Sequence, residues 1–394
     1  MKTIGIIMEC NPFHKGHEYI LTSAKEQFGA DHIIVVLSGD HVQRGEPAIM
    51  DKYARTDCVL RAGADLVLEL PVPYATGSAQ YFARGAVSAL LHTGVTDCIL
   101  FGSECGDVNI LKNRIPNIPA EQEDDALSVP AGRFTAFSDR ILPNDLLATE
   151  YLKALQYFGS GIAPLSVSRI GAAYHDLIPV DGYASAGALR TVLYGCPEDA
   201  SLPSAVTEHI PDYAALVLEQ YRQTHCFLSL SDYSDLIAYA LLSGKIQGYT
   251  EYFDIFDDLS CKITANLEAY TDATAFVQHL KSKDIAFSHL SRALLHILLQ
   301  IRTEDVCLAS EKYAYCPYLR PLGLRKDSAK DLMHAIKANA DRPLLSKLAN
   351  ARALLDSEAY RLLQKDMFAS ELYARKAEKN GSIVSEYRRS MILL

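Results

Sequence analysis

The stretch Thr3–Ile20 constrains the fold of this chain more than any other. Ile4–Met8 is a short apolar run with the β-branched content of a buried strand. In the turn that follows, Pro12 biases Asn11 away from helical backbone, and His14 leads into a helical pattern. A strand that passes through a glycine-bearing turn into a helix brings free N–H groups and the positive end of the helix dipole together. The stretch therefore predicts an anion site after a first strand.

Two histidines mark the start of that helix. His14 and His17 are three residues apart and can face the same phosphate group, while Gly16 lets a nucleotide approach the backbone closely. Taken alone, so short a motif also fits a surface pair or half of a metal site. Its place directly after an apolar strand favours the phosphate site, and zinc-type ligand spacing is absent from the chain.

Strands and helices alternate over the first half of the sequence. This rhythm is typical of a parallel α/β sheet with right-handed crossovers. The predicted strands are Ile4–Met8, Ile33–Leu37, Leu66–Leu70, Asp97–Phe101 and Leu165–Ile170. The predicted helices are one after His14, Asp51–Ala62, Ser78–Leu91, one capped by Asn144, and one from Ser185 to Leu193. The proline-rich, acidic segment 114–142 is expected to be an insertion over one end of the sheet.

After Ser201 the apolar period is helical almost throughout, Leu345–Leu355 included. Short extended pieces are expected only near Cys307 and over Tyr315–Arg320. Gly195 begins a Gly-Cys-Pro boundary, so the sequence predicts two domains, 1–195 and 196–394. The fold class predicted is α/β, with an N-terminal parallel sheet and a mainly α-helical C-terminal region.

Charge differs between the two ends of the chain. The formal net charge is −10, yet residues 281–394 carry 20 Lys and Arg against 13 Asp and Glu, a net +7 that leaves −17 for the rest. Such asymmetry fits either a polyanion surface or helix faces that lysine and arginine merely solvate. Arg325, Lys326 and Lys330 are the candidate contacts, because they follow Gly323-Leu324 in a short basic turn before a helix.

Beyond these physical patterns, the chain resembles a known family. N-P-F-H-K-G-H after a strand is similar to the His/Thr-x-Gly-His signature of the nucleotidyltransferase superfamily. Further segments resemble the bacterial tRNA(Met) cytidine acetate ligase family, densely over the first half and diffusely after it. They are Ser38–Asp40, Val42–Ala48, Asp51-Lys52, Asp65–Pro71, Phe101–Glu104, Pro143-Asn144, Arg169–Ala172 with Tyr174-His175, and Ser185–Arg190.

The resemblance implies a Rossmann-like nucleotidyltransferase domain that binds ATP. The activity implied is activation of acetate as acetyl-adenylate and transfer of the acetyl group to the wobble cytidine of elongator tRNA(Met), with Mg²⁺ arriving on ATP. His14 and His17 are implied to be catalytic. The implied ATP-binding residues are Ile7, Met8, Glu9, Cys10, Asn11, Pro12, Phe13, His14, Lys15, Gly16, His17, Ile20, Gly102, Asn144, Arg169, Ile170, Ser185 and Arg190.

Several of these assignments have a structural alternative. Ser185 and Asn144 fit helix caps as well as ligand contacts, and Arg169 fits a surface ion pair as well as a phosphate clamp. Arg190 is expected to point at phosphate. Gly187 stands where the family usually carries Thr, so one expected phosphate contact is missing. A polar cluster after the second strand fits the rim of the same crevice, and it comprises Asp40, Gln43, Arg44, Glu46, Asp51 and Lys52.

Cysteine usage and hydropathy bear on the compartment. Nine scattered cysteines without a Cys-x-x-Cys pair are typical of reduced thiols, and no apolar run reaches the ~20 residues that cross a bilayer. The chain also begins directly with a strand rather than a basic and apolar leader. We therefore expect a cytoplasmic protein without a membrane partner; its oligomeric state is not readable.

Two other classes of function stay open at this point. The chain could be an adenylyltransferase that acts on a small phosphorylated acceptor, or a non-catalytic nucleotide- or RNA-binding module. The intact His14, Gly16 and His17 argue against the module. Pyrophosphate release from ATP separates enzyme from module, and the acceptor separates the two enzymes.

Overall fold

The computed structural model describes residues 1–115, 142–169, 184–197, 200–381 and 383–394. Ile170 and nearly all of the proposed insertion lie outside these ranges. The strands within them are β1 (Thr3–Met8), β2 (His32–Ser38), β3 (His41–Val42), β4 (Glu46–Pro47), β5 (Leu66–Leu70), β6 (Cys98–Ser103), β7 (Ala163–Ser168), β8 (Pro321–Leu324) and β9 (Ile392–Leu393).

The α-helices of the described ranges fall into two groups along the chain. Those of the first half are α1 (Lys15–Glu26), α2 (Lys52–Arg61), α3 (Val72–Ala75), α4 (Ala79–Leu91), α5 (Val108–Asn113), α6 (Pro143–Tyr157) and α7 (Ala186–Tyr194). Those of the second half are α8 (Ser204–Thr207), α9 (Asp212–Thr224), α10 (Ser234–Gly244), α11 (Asp257–Ala265), α12 (Ala273–Leu280), α13 (Phe287–Leu299), α14 (Thr303–Tyr313), α15 (Ala329–Asn339), α16 (Ala351–Leu354) and α17 (Ser357–Ala377).

One mostly parallel sheet carries the fold. Its order is β7-β6-β1-β2-β5-β8-β9, and the first five of these strands run parallel. Within the central pair, Thr3 lies opposite His32 and Met8 opposite Leu37. Parallel strands end at the same edge, so the turns that follow β1, β2, β6 and β7 lie side by side there.

Both faces of the sheet are covered. On one face, alternate strand residues such as Ile4 and Val35 pack with α1, α2, α7 and α9. On the other, residues such as Ile34 and Ile99 pack with α4, α6 and the C-terminal helices. Continuous burial on both faces explains why these strands are apolar throughout rather than alternating with polar residues.

The second half of the chain is mainly helical and also completes the sheet. β8 pairs with β5 in the antiparallel direction, and β9 pairs in parallel with β8. The α/β fold class and the mainly helical C-terminal region are confirmed. The division at 195 stays a prediction.

Three local expectations are wrong. Cys307 lies in α14, not in an extended piece. Leu345–Leu355 holds a 3₁₀ turn (Leu348–Asn350) and the one-turn helix α16, rather than one continuous helix. Asn144 does not cap α6: Leu142 holds the cap position and Pro143 begins the helix, since proline fits a first helical residue.

Candidate active site

The turn between β1 and α1 brings the signature residues to the C-terminal edge of the sheet. Cys10 has a left-handed backbone with φ 52°, and the Asn11-Pro12 peptide bond is cis. The side chains of Cys10 and Phe13 are buried in the core beside α1. These two residues therefore shape the turn from inside.

His14 and His17 cap α1 for each other. His14 Nδ1 accepts the backbone N–H of Gly16 at 3.1 Å, and His17 Nδ1 accepts the backbone N–H of His14 at 3.2 Å. The two rings stack with centroids 3.8 Å apart. Because each Nδ1 is an acceptor, the neutral imidazole carries its proton on Nε2. The Nε2–H groups of His14 and His17 are thus two hydrogen-bond donors at the positive end of α1.

Both imidazoles are neutral at physiological pH. Burial, with the positive charge of Arg169 nearby, lowers the pKa of His14 to about 3. Burial, with His14 and Arg169 nearby, lowers the pKa of His17 well below its usual value. The pair can therefore donate hydrogen bonds to an anion without carrying charge before the anion arrives.

Gly16 is required by its neighbour in the motif. A Cβ atom at this position would lie 2.9 Å from Cε1 of His14 and 3.0 Å from its Nδ1. Glycine therefore keeps the imidazole of His14 in place, besides leaving room for a ligand.

Gly102, Ile20 and Arg169 form the wall of the crevice on the side of β6 and β7. A Cβ atom on Gly102 would lie 3.4 Å from both Arg169 Cγ and Ile20 Cδ1. Gly102 lies in β6, and Arg169 directly follows β7, where its backbone N–H donates to Ser103 O. The structure thus brings together three predicted site residues from separate segments of the chain.

Asn144 lies at the same end of the sheet and is linked to it by Glu104. Asn144 Nδ2 donates to Glu104 Oε1 at 2.6 Å, and the backbone N–H of Asp145 donates to Glu104 Oε2 at 2.7 Å. The carboxylate of Glu104, which follows β6, therefore satisfies the start of α6. Asn144 is held by that carboxylate.

Ser185 and Arg190 occupy structural positions in α7. Ser185 Oγ accepts the backbone N–H of Ala188 at 3.1 Å, which makes Ser185 the N-cap. Arg190 is buried; Nη1 donates to Asn11 O at 2.7 Å, and Nη2 lies 3.0 Å from Glu46 Oε1. Arg190 therefore joins the signature turn to the β3–β4 hairpin, and its contact with phosphate stays a prediction.

Lys15 points away from the histidine pair, towards the segment after α8. Its Nζ donates to Glu208 O at 2.7 Å, and its backbone N–H donates to His209 O at 3.0 Å. These contacts fix the outer side of the turn.

Arg55 supports the turn from α2, a role that sequence reasoning missed. The side chain is fully buried; Nη1 donates to Glu9 O at 2.7 Å and to Ser38 O at 3.1 Å, and Nη2 donates to Gly39 O. One guanidinium thus links the ends of β1 and β2. Only the fold reveals this role, because an arginine in an amphipathic helix pattern is typical of a surface residue.

Lys52, expected at the rim of the crevice, is instead fully buried. Its Nζ lies 2.8 Å from Glu69 Oε1 and 3.1 Å from Glu386 Oε2, and Arg320 contacts the same two carboxylates. Paired charges of this kind satisfy each other inside a protein. This cluster joins α2 and β5 to the C-terminal segment.

The basic turn of Arg325, Lys326 and Lys330 lies at the end of the sheet where the parallel strands begin, whereas the histidine pair lies where they end. β8 runs antiparallel to β5, so the residues after Leu324 lie beside the start of β5, where Arg325 N–H donates to Asp65 O. Lys326 and Lys330 are exposed. The length of a strand, about 15 Å, therefore separates this turn from the histidine pair.

Metal clusters and membrane spans are both absent from the described ranges. No group of three or more His, Cys, Asp or Glu side chains within them could hold a metal ion. Among the helices of those ranges, none combines the length and the apolar character that a membrane span requires.

The fold and the histidine crevice define a nucleotide-binding α/β protein of the class that transfers nucleotidyl groups. The sequence model of the HIGH Nucleotidyl Transferase family matches residues 1–386, and the chain belongs to that family. The family resemblance predicted from the sequence is thereby confirmed.

The chain matches curated relatives over almost its whole length. The tRNA(Met) cytidine acetate ligase of Thermoanaerobacter sp. (strain X514) is 34% identical over 405 residues, with 97% of each chain covered. That of Clostridium perfringens (strain ATCC 13124) is 33% identical over 402 residues, with 95% of each covered.

Solved structures show the same fold. The apo form I crystal structure of Thermotoga maritima TmcAL has a TM-score of 0.88 at 26% identity and covers 100% of both chains. Form II, bound with alpha-thio ATP, has a TM-score of 0.85 at 24% identity with the same coverage and supports the fold alone.

Proposed function

We propose that the chain is an ATP-dependent tRNA(Met) cytidine acetate ligase. It activates acetate as acetyl-adenylate, releasing diphosphate, and transfers the acetyl group to the N4 amine of the wobble cytidine in elongator tRNA(Met), releasing AMP. The observation that carries the proposal is the His14–His17 pair, held at the start of α1 in a chain whose full-length relatives bear that name.

The first step requires positioning and charge stabilisation more than covalent chemistry. A carboxylate oxygen of acetate attacks the α-phosphorus of ATP in line with the departing diphosphate, and negative charge grows on the phosphate oxygens. The Nε2–H groups of His14 and His17, with the guanidinium of Arg169, supply donors for that charge. Groups fixed before the reaction need no reorganisation during it, and this is why they lower the barrier.

The strand order supports a proposal for how the two ends of the substrate complex lie. Gly102 and Arg169 lie on the side of β1 that carries β6 and β7. We place the adenosine on that side, because Gly102 has no side chain to cover the backbone. The acetate then lies on the other side of the histidines, towards β2. In this placement Ile20 contacts the adenosine. Asn144, held by its hydrogen bond to Glu104, lies at the outer end of the adenosine pocket.

Mg²⁺ would arrive with ATP. The described residues offer no cluster of three metal-ligating side chains, which fits an ion bound mainly through phosphate oxygens. When bound, such an ion neutralises charge on the leaving diphosphate.

The tRNA requires a surface beyond the crevice. We place part of it on Arg325, Lys326 and Lys330, whose cationic side chains suit backbone phosphates. Since this turn and the histidine pair lie at opposite edges of the sheet, the tRNA would have to extend along the side of the domain. The protein would act in the cytoplasm, where its tRNA substrate is; its nine cysteines are all free thiols.

The alternative, an adenylyltransferase with a small phosphorylated acceptor, uses the same crevice. Purified protein is incubated with ATP, labelled acetate and bulk tRNA, and in a parallel reaction with ATP, acetate and labelled pyrophosphate. Our proposal requires acetate-dependent exchange of label between pyrophosphate and ATP, and label in tRNA. Exchange that needs a phosphorylated small molecule instead would establish the alternative.

The histidines provide the matched variants for that assay. His14→Ala or His17→Ala should reduce acetate-dependent pyrophosphate exchange roughly 100-fold or more, the scale of losing one preorganised donor. Exchange near the wild-type rate in either variant would show that the motif assignment is wrong.

A further inference from the structure

Glu9 is an unexpected residue for an anion site. It directly follows β1 and precedes the turn that holds His14 and His17. A carboxylate at this place repels phosphate oxygens, so binding of the triphosphate does not account for it. Glu9 is also partly exposed, so packing does not account for it either.

Contacts on two sides fix the position of Glu9. Its backbone oxygen accepts Arg55 Nη1 at 2.7 Å, and its Oε1 accepts the backbone N–H of Gln43 at 2.7 Å. Within the described ranges no ion pair closes on this carboxylate, and its Oε2 takes no hydrogen bond there. One oxygen is therefore anchored and the other is left for a ligand.

The side of the sheet on which Glu9 is anchored is informative. Gln43 follows β3 in the loop after β2, whereas Gly102 lies near the end of β6 and Arg169 follows β7. Glu9 thus faces the β2 side of β1, across the histidines from the adenosine. This is the side on which the proposed function places the acyl group and the incoming amine.

We propose that Glu9 is the general base of the acyl-transfer step. The inference rests on the proposed function and deepens it. The N4 amine of cytidine attacks the carbonyl carbon of acetyl-adenylate, forming the N–C bond. The bond between that carbon and the phosphate oxygen breaks, AMP leaves with its electron pair, and Glu9 Oε2 takes the proton that N4 gives up.

The charged surroundings of Glu9 suit a base. Although Glu9 keeps some exposed surface, the protein around its carboxyl group desolvates that group and raises its pKa, while the Gln43 N–H and the guanidinium groups of Arg44, Arg190 and Arg55 limit the rise. The hydroxyl group of Tyr151 on α6 and the thiol of Cys10 also interact electrostatically with this carboxyl group. A carboxylate with a raised pKa accepts a proton more readily than an ordinary one.

The test separates the two half-reactions. Enzyme is loaded with acetyl-adenylate from ATP, acetate and pyrophosphatase, tRNA is added, and acetyl-tRNA is measured in a single turnover at several pH values. For Glu9→Gln we expect transfer slowed about 100-fold or more, the scale of general-base catalysis, and acetate-dependent pyrophosphate exchange reduced far less than transfer. The wild-type transfer rate should fall as pH is lowered through the raised pKa, and Glu9→Gln should lose this dependence.

Control variants make the outcome decisive. Glu26→Gln removes an exposed carboxylate of α1 and should change neither step. Glu9→Asp keeps a base and should retain part of the transfer activity. If Glu9→Gln fails to fold, the pH dependence of transfer by Glu9→Asp decides instead. Normal transfer by Glu9→Gln, or equal loss of exchange and transfer, would overturn the assignment. A wild-type protein without acetate-dependent exchange would instead refute the proposed function.

Discussion

A Cβ atom on Gly16 would lie 2.9 Å from Cε1 of His14. The imidazole is fixed in turn by the backbone N–H of Gly16, which donates to its Nδ1. The two residues therefore act as one unit: the glycine both leaves space for the ring and sets its tautomer.

Gly16→Ala should disable this unit without unfolding the protein. The methyl group displaces the ring of His14 from its place, and we expect acetate-dependent pyrophosphate exchange to fall about 10- to 100-fold. Stability should change little, because alanine is favourable within a helix. Exchange and thermal unfolding are measured on the same preparation. An active Gly16→Ala would show that the ring can move without loss.

Gly187→Thr should be tolerated and should tighten ATP binding modestly. Gly187 lies in the first turn of α7, and the nearest atom to an added Cβ would be Ser185 Oγ at 3.8 Å. The hydroxyl would restore the phosphate donor that the family usually carries. Equilibrium ATP binding by calorimetry measures the change. A collapse of affinity would mean that this turn differs from the family conformation.

Charge reversal of Arg325, Lys326 and Lys330 should weaken tRNA binding and flatten its salt dependence. Removing one phosphate contact lowers the slope of log affinity against log salt by about one. Pyrophosphate exchange should not change, because the turn is about 15 Å or more from the histidine pair. Filter binding at several salt concentrations is the measurement.

A matched triple variant controls for net charge. Lys245, Lys281 and Lys283 are exposed lysines outside that turn, and their reversal should leave tRNA affinity nearer to wild type. Equal effects of the two triple variants would mean that the basic turn has no special role.

Stability should fall in mild acid because buried histidines are neutral. Burial lowers the pKa of His41 and of His296 to about 4. The unfolded chain binds these protons near pH 6.5, so between about pH 6.5 and 4 it binds more protons than the folded chain. The free energy of unfolding therefore decreases as pH falls, by about 1.4 kcal/mol per pH unit for each histidine.

His296→Gln tests this slope. Denaturant unfolding at several pH values should show the pH dependence reduced by about one proton, whatever the variant costs at pH 8. An unchanged slope would mean that His296 is protonated in the folded protein.

Local patterns predicted most of the sheet and the signature turn. The strand before His14 and the helix after it are encoded in one short segment, so Thr3–Met8 and Lys15–Glu26 follow from local periodicity. Asn144 shows where such reasoning stops. A polar residue near a helix start resembles a cap, yet the capping carboxylate comes from Glu104, some 40 residues earlier.

The roles of the buried arginines could not be predicted, for the same reason. The motif alone assigns Arg190 to phosphate, but its neighbours Asn11 and Glu46 are brought to it by the fold. Arg55 carries no local signal at all. Long-range polar partners are decided by packing, which a single sequence does not display.

Strand β8 has a consequence for how the chain is made. Among the residues that the structure describes, the outer edge of β5 pairs with Pro321–Leu324, about 250 residues later in the sequence. While the chain emerges from the ribosome, that edge stays open through the synthesis of most of the helical region, and open edges invite wrong pairing. Such a distant contact also slows folding, because a long loop must close first. We therefore expect the sheet to reach its native order only after synthesis has passed β8, and the nascent chain to depend on chaperones until then.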